Sequence, residues 1–164
     1  MDRPKCHDPC VNPFQTFMGL PLHPLAIHAA VVLVPLLVLA GLGYALVPKL
    51  RGRLGWVAAL LGLVTPLATL VAKLSGDAFR ARLAAKQIDP KILDSIDAHR
   101  SLGTILLYLT VALGVVVLAM VLLRSVPSAV TLVLAVATVG LAVASAYYVF
   151  RTGDTGARIA WTGY

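Results

Sequence analysis

Histidine is the residue type in this sequence with the clearest capacity for chemistry. The chain has four histidines, and two of them, His28 and His99, lie near the beginnings of long apolar stretches. An ionisable side chain within a membrane-spanning segment is by default a functional residue. A neutral imidazole is also a good ligand for haem iron. We therefore predict that His28 and His99 are the two metal ligands of one site.

The apolar stretch that contains His28 is long enough to cross a membrane. Every residue from 25 to 47 is apolar or small except His28. At about 1.5 Å per residue a helix of this length spans roughly 34 Å, against a hydrocarbon core of roughly 30 Å. Pro24 suits the first position of the helix, which predicts His23 as the N-terminal cap. His28 then lies one turn inside the helix.

The composition predicts an integral membrane protein. Hydrophobic residues make up 59% of the chain and charged residues 13%, the formal net charge is +7, and glutamate is absent. We predict an all-α fold, an up-down four-helix bundle in the lipid bilayer over residues 23–151. A short amphipathic helix is expected on the membrane surface between spans two and three. The spans are predicted at about 24–47, 54–74, 101–123 and 129–150, between an irregular arm (1–22) and a tail (152–164).

The two histidines are predicted to face one haem across the bundle. Spans one and three run in the same direction and are diagonal neighbours, with axes roughly 14 Å apart. That gap suits two imidazoles on opposite faces of one haem b. Gly103 would leave room for the flat ring, and Arg100 and Arg151 could pair with its propionates. The predicted function is electron transfer by a b-type haem protein, alone or as a subunit of a respiratory complex.

Two other functions stay open. His28 and His99 each have an ordinary explanation as interfacial or carbonyl-bonded residues, which would fit a cofactor-free structural or assembly subunit. The third hypothesis is a copper-handling protein with Cys6, His7, Cys10 and His23 as metal ligands. A Cys-x-x-x-Cys pair lacks the paired spacing of a zinc motif, so a local disulfide or two free thiols is the preferred interpretation. His23 lies about 140° around the helix from His28, which favours a cap over a ligand.

Enzymatic and nucleic-acid functions find little support. The chain has no glycine-rich phosphate loop, no glutamate for general-base work and no carboxylate within a predicted span. Catalysis by this chain alone is therefore not predicted. The basic residues lie in short loops, without interleaved aromatic residues, so they are interpreted as a topology signal and not as a nucleic-acid surface.

The basic loops predict the orientation in the membrane. The short connections carry Lys49, Arg51, Arg53 and Arg124 with no acidic residue between them. A raw count of basic residues favours the opposite orientation, but short loops near span ends weigh most. The loops are therefore predicted to be cytoplasmic and both termini to lie outside.

Several motifs are similar to those of one family. The segment Gly19–His28 contains Leu-His-Pro-x-x-x-His, and the chain also has Gly-Asp-Ala-Phe at 76–79 and His-Arg-Ser-Leu-Gly at 99–103. With the basic turn and the segment 153–158, this pattern resembles an uncharacterised family of bacterial four-helix inner-membrane proteins, its actinobacterial branch above all. The resemblance implies the fold and a location in the bacterial cytoplasmic membrane, but no activity.

Overall fold

The computed structural model describes residues 14, 16–18, 20–123 and 127–161. A two-stranded antiparallel pair, β1 (Thr16–Phe17) and β2 (Leu20–Pro21), precedes the first helix, with Phe17 opposite Leu20. A single 3₁₀ turn at Pro48–Leu50 joins the first two helices. The four helices are α1 (Leu22–Leu46), α2 (Arg51–Ala85), α3 (Pro90–Leu122) and α4 (Ser128–Trp161).

All four helices are long and apolar enough to cross a membrane, so the chain is a multi-pass membrane protein in contact with the lipid bilayer. Each helix packs against the next one in sequence, and α4 also packs against α1. Helices α1 and α3 are therefore diagonal in an up-down bundle. The predicted all-helical four-span fold is confirmed.

Small residues allow the helices to approach most closely. This is usual in membrane proteins, where lipid is as apolar as the protein core and close packing holds the helices together. The fully buried side chains include Leu37 on α1 and Leu113 on α3. Helices α2 and α3 touch where Gly62 faces Gly114: a Cβ built on Gly114 would lie 2.4 Å from the carbonyl oxygen of Gly62. A buried hydrogen bond of 3.0 Å between the hydroxyls of Thr69 and Thr110 adds a polar link between the same helices.

The predicted surface helix between spans two and three is wrong. Helix α2 continues without a break to Ala85, and α3 begins at Pro90, so the amphipathic segment extends both helices beyond their apolar parts. Gln87 turns the chain with a φ of 53°, and the Asp89 carboxylate caps α3 by accepting from Lys91 N at 2.9 Å. The small and apolar side of the segment is buried within the bundle, as at Ala78 and Ile96, instead of lying on lipid.

Ion pairs hold the projecting parts of α2 and α3 together. Arg100 on α3 donates to Asp77 on α2 at 2.7 Å and to Asp97 at 2.9 Å. Arg80 on α2 donates to both carboxylate oxygens of Asp97, at 3.0 and 2.7 Å. Lys73 pairs with Asp77 one turn along α2. These opposite charges across two helices explain why the segment stays in the bundle.

The same ion pairs keep the two carboxylates ionised. Hydrogen bonds from Arg80 and Arg100 hold the pKa of Asp97 below its ordinary value. Burial opposes ionisation of Asp77, but hydrogen bonds from Lys73 and Arg100 outweigh it, and the pKa of Asp77 is also lowered. The network therefore stabilises the fold above the ordinary carboxyl pKa and loses that contribution as the pH falls through the lowered values.

Two boundaries differ from the sequence prediction. Helix α4 continues past Phe150 to Trp161, so most of the predicted tail is helical. Helix α1 already includes Leu22, so His23 lies within its first turn and is not its cap.

The contact between Gly62 and Gly114 predicts a selective effect of one added methyl group. Gly114→Ala should destabilise the bundle by about 1–3 kcal/mol, because a new Cβ meets backbone that cannot move aside. Gly103→Ala on the same helix is the control, since a Cβ there meets no atom within 4 Å. Thermal unfolding of the detergent-solubilised protein, followed by circular dichroism, measures both. Equal midpoints for the two variants would contradict this packing.

The ion-pair network predicts a second difference. Arg100→Gln should destabilise the protein by about 1 kcal/mol, because it removes links to Asp77 and Asp97 together. Arg82→Gln, an exposed position on α2, should have little effect. Urea unfolding at low and high salt is the measurement, and the difference between the variants should shrink at high salt. An equal loss in both variants would rule out a specific role for Arg100.

Candidate functional site

His23 and His99 lie together at the polar end of the bundle. His23 is in the first turn of α1 and His99 is near the beginning of α3, the helix diagonal to it. Their ring centroids are 6.5 Å apart and the ring planes meet at 78°. Both side chains are half-buried. The structure therefore brings two imidazoles from opposite corners of the bundle to one point.

Helix α2 orients the ring of His23. The Nδ1 atom lies 3.1 Å from Ala72 O and 3.3 Å from the hydroxyl of Ser75, which itself donates to Ala72 O. A carbonyl can only accept, so Nδ1 carries the proton and Nε2 keeps its lone pair. A Cβ on Gly76 would lie 3.0 Å from Cε1 of His23, so a larger residue would push the ring a few tenths of an ångström away from α2. The ring of Phe79, also on α2, stacks with the His23 ring, with centroids 6.1 Å apart.

Helix α4 orients the ring of His99 in the same way. The Nδ1 atom lies 3.1 Å from the hydroxyl of Thr155, and the ring also makes a backbone hydrogen bond with Thr152. The Thr155 hydroxyl has two carbonyls within 3.0 Å to receive its own proton, those of Arg151 and Thr152. It therefore accepts from Nδ1, and the lone pair of His99 is again on Nε2. A Cβ on Gly156 would lie 3.0 Å from Cε1 of His99.

The two halves of the bundle thus repeat one arrangement. In the α1–α2 hairpin the histidine bonds to the hydroxyl of Ser75, and the next residue is Gly76. In the α3–α4 hairpin the corresponding residues are Thr155 and Gly156. The histidine and its hydroxyl partner are 52 residues apart in the first hairpin and 56 in the second. The site therefore has approximate two-fold symmetry, and each helical hairpin contributes one imidazole.

This arrangement suits a positively charged ligand. Within the described part of the chain neither Nε2 has a hydrogen-bond partner, so both lone pairs are available to a cation. Histidines that bind metals characteristically donate their other ring nitrogen to a carbonyl or another acceptor, which fixes the tautomer and the ring orientation. Two metal–nitrogen bonds of about 2.0–2.1 Å in line would separate the centroids by about 6 Å, near the observed value.

His28, the predicted partner of His99, lies elsewhere. Its side chain is exposed on the outside of α1, and its Nδ1 hydrogen-bonds to Pro24 O in the preceding turn. The buried face of α1 includes Ala26, Ala30, Val34 and Leu37, and one turn before Ala26 this face reaches His23. The small residues Ala26 and Ala30 mark the buried face, but they do not stand out in a helix whose residues are nearly all apolar.

The other predicted site residues have separate positions. Gly103 is one turn inside His99 and has open space where a Cβ would be. Arg100 is engaged by Asp77 and Asp97, and Arg151 is exposed. Cys6, His7 and Cys10 lie outside the described residues. Within the described part of the chain, no group of three or more histidine, cysteine or acidic side chains is arranged to hold a metal ion.

Sequence reasoning missed the residues that support the two rings. Ser75, Gly76, Thr155 and Gly156 are small residues near the ends of α2 and α4, and their pairing with histidines more than fifty positions away has no local signature. Thr152 was missed too: its backbone bonds to the His99 ring, and its buried hydroxyl has no hydrogen-bond partner among the described residues.

Comparison with known proteins places the chain in a family without naming an activity. A family model described as "Predicted membrane protein (DUF2231)" matches residues 19–163, which includes all four helices and both histidines of the pair. No curated protein matches the sequence. No solved structure matches it either. The chain therefore belongs to the DUF2231 family of predicted membrane proteins.

Proposed function

We propose that this protein binds one b-type haem between His23 and His99 and transfers electrons at the polar end of the bundle. The observation that carries the proposal is the pair of imidazoles 6.5 Å apart, each with Nδ1 held by hydrogen bonds and Nε2 left with its lone pair. Bis-histidine ligation from helices of a bundle is a common way to hold haem. The sequence hypothesis is retained, with His23 in place of His28.

The surroundings of the pair support a flat, charged ligand. Gly103 lies one turn inside His99, and a Cβ there would meet no atom within 4 Å, so this position would not obstruct a macrocycle held by the two imidazoles. Arg151 is exposed at the same end of the bundle, and its guanidinium suits a propionate, whereas Arg100 is engaged by Asp77 and Asp97. Because the site is at the end of the bundle and not at mid-membrane, a bound haem would be close enough to the surface to exchange electrons with a partner. Subunits of a respiratory complex are the proposed partners.

The proposal predicts a haem spectrum that depends on two of the three described histidines. Wild-type protein purified from cells supplied with haem should show a Soret band and low-spin bands in the reduced-minus-oxidised spectrum. His23→Ala and His99→Ala should each abolish the low-spin signal, because each removes one axial ligand. His28→Ala is the matched control and should keep the signal, since its side chain is exposed on the outside of α1.

Other results would select a different function. If the wild-type protein has no Soret band, the haem proposal fails and the cofactor-free structural or assembly subunit becomes the better hypothesis. Stoichiometric copper that is lost in Cys6→Ser would favour the copper-handling alternative. Loss of haem in His28→Ala but not in His23→Ala would restore the pairing first predicted from the sequence.

We further propose that the turn containing Lys49, Arg51 and Arg53 faces the cytoplasm of a bacterial cell and that both termini lie outside. The basis is the positive-inside rule applied to short loops. In a variant without Cys6 and Cys10, cysteines introduced at Gly52 and at Gly163 should react differently with a membrane-impermeant maleimide on intact cells. Gly163→Cys should be labelled and Gly52→Cys should be protected. The reverse pattern would show that the orientation is inverted.

A further inference from the structure

A cavity lies at the end of the bundle opposite the histidine pair. Its volume is about 170 Å³, and all four helices contribute to its wall. The apolar part of the wall comes from Met120, Leu123 and Leu134, and the polar part from Tyr44, Arg51 and Thr131. A space with an apolar wall and a few convergent polar groups is the usual form of a ligand site.

Arg51 supplies the charge of this cavity. Its Nε donates to Tyr44 O at 3.1 Å and its Nη2 to Ala45 O at 3.2 Å, so the last turn of α1 fixes the guanidinium in place. The guanidinium carbon also lies 5.9 Å from the centre of the Tyr44 ring. Both acceptors are neutral carbonyls, and Nη1 has no hydrogen-bond partner among the described residues. Arg51 is half-buried, which makes an uncompensated charge costly.

Among the residues that the structure describes, no anion lies near this charge. The aspartates that the structure describes all belong to the opposite end of the bundle, in the last part of α2, the connection that caps α3, the first part of α3 and the last part of α4. The nearest charged neighbours in sequence, Lys49 and Arg53, are also basic and exposed. An oriented guanidinium in a pocket with no carboxylate near it is a receptor for an external anion.

We infer that the cavity binds the phosphate of an anionic phospholipid on Arg51, with the glycerol and the first part of an acyl chain against the apolar wall. The depth favours this occupant, because the cavity lies where the apolar helices end and lipid phosphates begin. Its volume suits part of a lipid, and the leucine and methionine side chains suit a hydrocarbon chain and not a hydrated ion. Basic pockets between membrane helices are a known mode of anionic lipid recognition.

The test uses the delipidated, detergent-solubilised protein with mixed micelles that contain phosphatidylglycerol, phosphatidylcholine or neither. A ligand that binds only the folded protein raises its unfolding midpoint. Phosphatidylglycerol should raise the midpoint of the wild-type protein, and phosphatidylcholine at the same concentration should not. Native mass spectrometry should find one phosphatidylglycerol per chain. In Arg51→Gln the apparent affinity should fall about tenfold or more.

The chain offers a matched control two residues away. Arg53→Gln removes the same charge from the same turn, but at an exposed position outside the cavity wall, and it should retain the phosphatidylglycerol effect. If Arg51→Gln does not fold, Gly52→Leu provides a second variant that keeps the charge. A Cβ at Gly52 meets no atom within 4 Å, so a leucine can fill the mouth of the cavity without strain, and it should also abolish lipid binding.

Three results would overturn the inference. An equal response in wild type, Arg51→Gln and Arg53→Gln would indicate diffuse attraction to a basic surface. An equal rise with inorganic phosphate in place of the lipid would indicate a site for a small anion. No preference for phosphatidylglycerol over phosphatidylcholine would show that the cavity does not recognise lipid charge.

Discussion

The structure depends on the lack of hydrogen-bond partners in the hydrocarbon core of a bilayer. Backbone groups satisfy this constraint by forming helices, and polar side chains must find acceptors on their own helix or on a neighbour. Thr69 and Thr110 bond to each other between helices, and the hydroxyl that accepts in this bond donates to the carbonyl one turn before it. At the end of the bundle His23 and His99 find acceptors in the same way, in the hydroxyls of Ser75 and Thr155. Among the described residues, each imidazole therefore has a hydrogen-bond partner for Nδ1 and none for Nε2.

Glycine makes this hydrogen bonding geometrically possible. Gly76 and Gly156 let each ring approach the backbone of the neighbouring helix, so that Nδ1 reaches a hydroxyl and a carbonyl at once. Gly62 and Gly114 also permit a close approach, here between the backbones of α2 and α3 in the middle of the bundle. The contact between Gly62 and Gly114 therefore stabilises the packing of α2 against α3. The glycines near the polar end allow the two histidine rings to take their positions.

The two ends of the bundle have opposite electrostatic character. At the histidine end, Asp77 and Asp97 neutralise Arg80 and Arg100, and the helices project beyond their apolar parts as one paired structure. At the other end the short connections are basic in sequence, and Arg51 donates to backbone carbonyls. At the first end the carboxylates compensate the guanidinium groups, whereas the basic charge at the second end suits an external anion. The proposed lipid site at Arg51 follows from this segregation of charge.

The sequence alone determined the class of protein and the topology of the bundle. Four apolar stretches of sufficient length, short connections and the absence of glutamate left little alternative to an all-α membrane bundle, since only such helices satisfy their backbone in lipid. The sequence also identified α1 and α3 as the helices that carry the histidines, and His99 as one member of the pair.

Only the tertiary structure decided which histidine of α1 faces His99, because hydrophobicity does not reveal the rotation of a helix that is apolar all round. It also decided that residues 75–98 extend the bundle, since the ion pairs between Arg80 and Asp97 and between Arg100 and Asp77 join positions 17 and 23 residues apart. The cavity at Arg51 was likewise beyond sequence reasoning, because its wall comes from the ends of four helices that meet only in the folded protein.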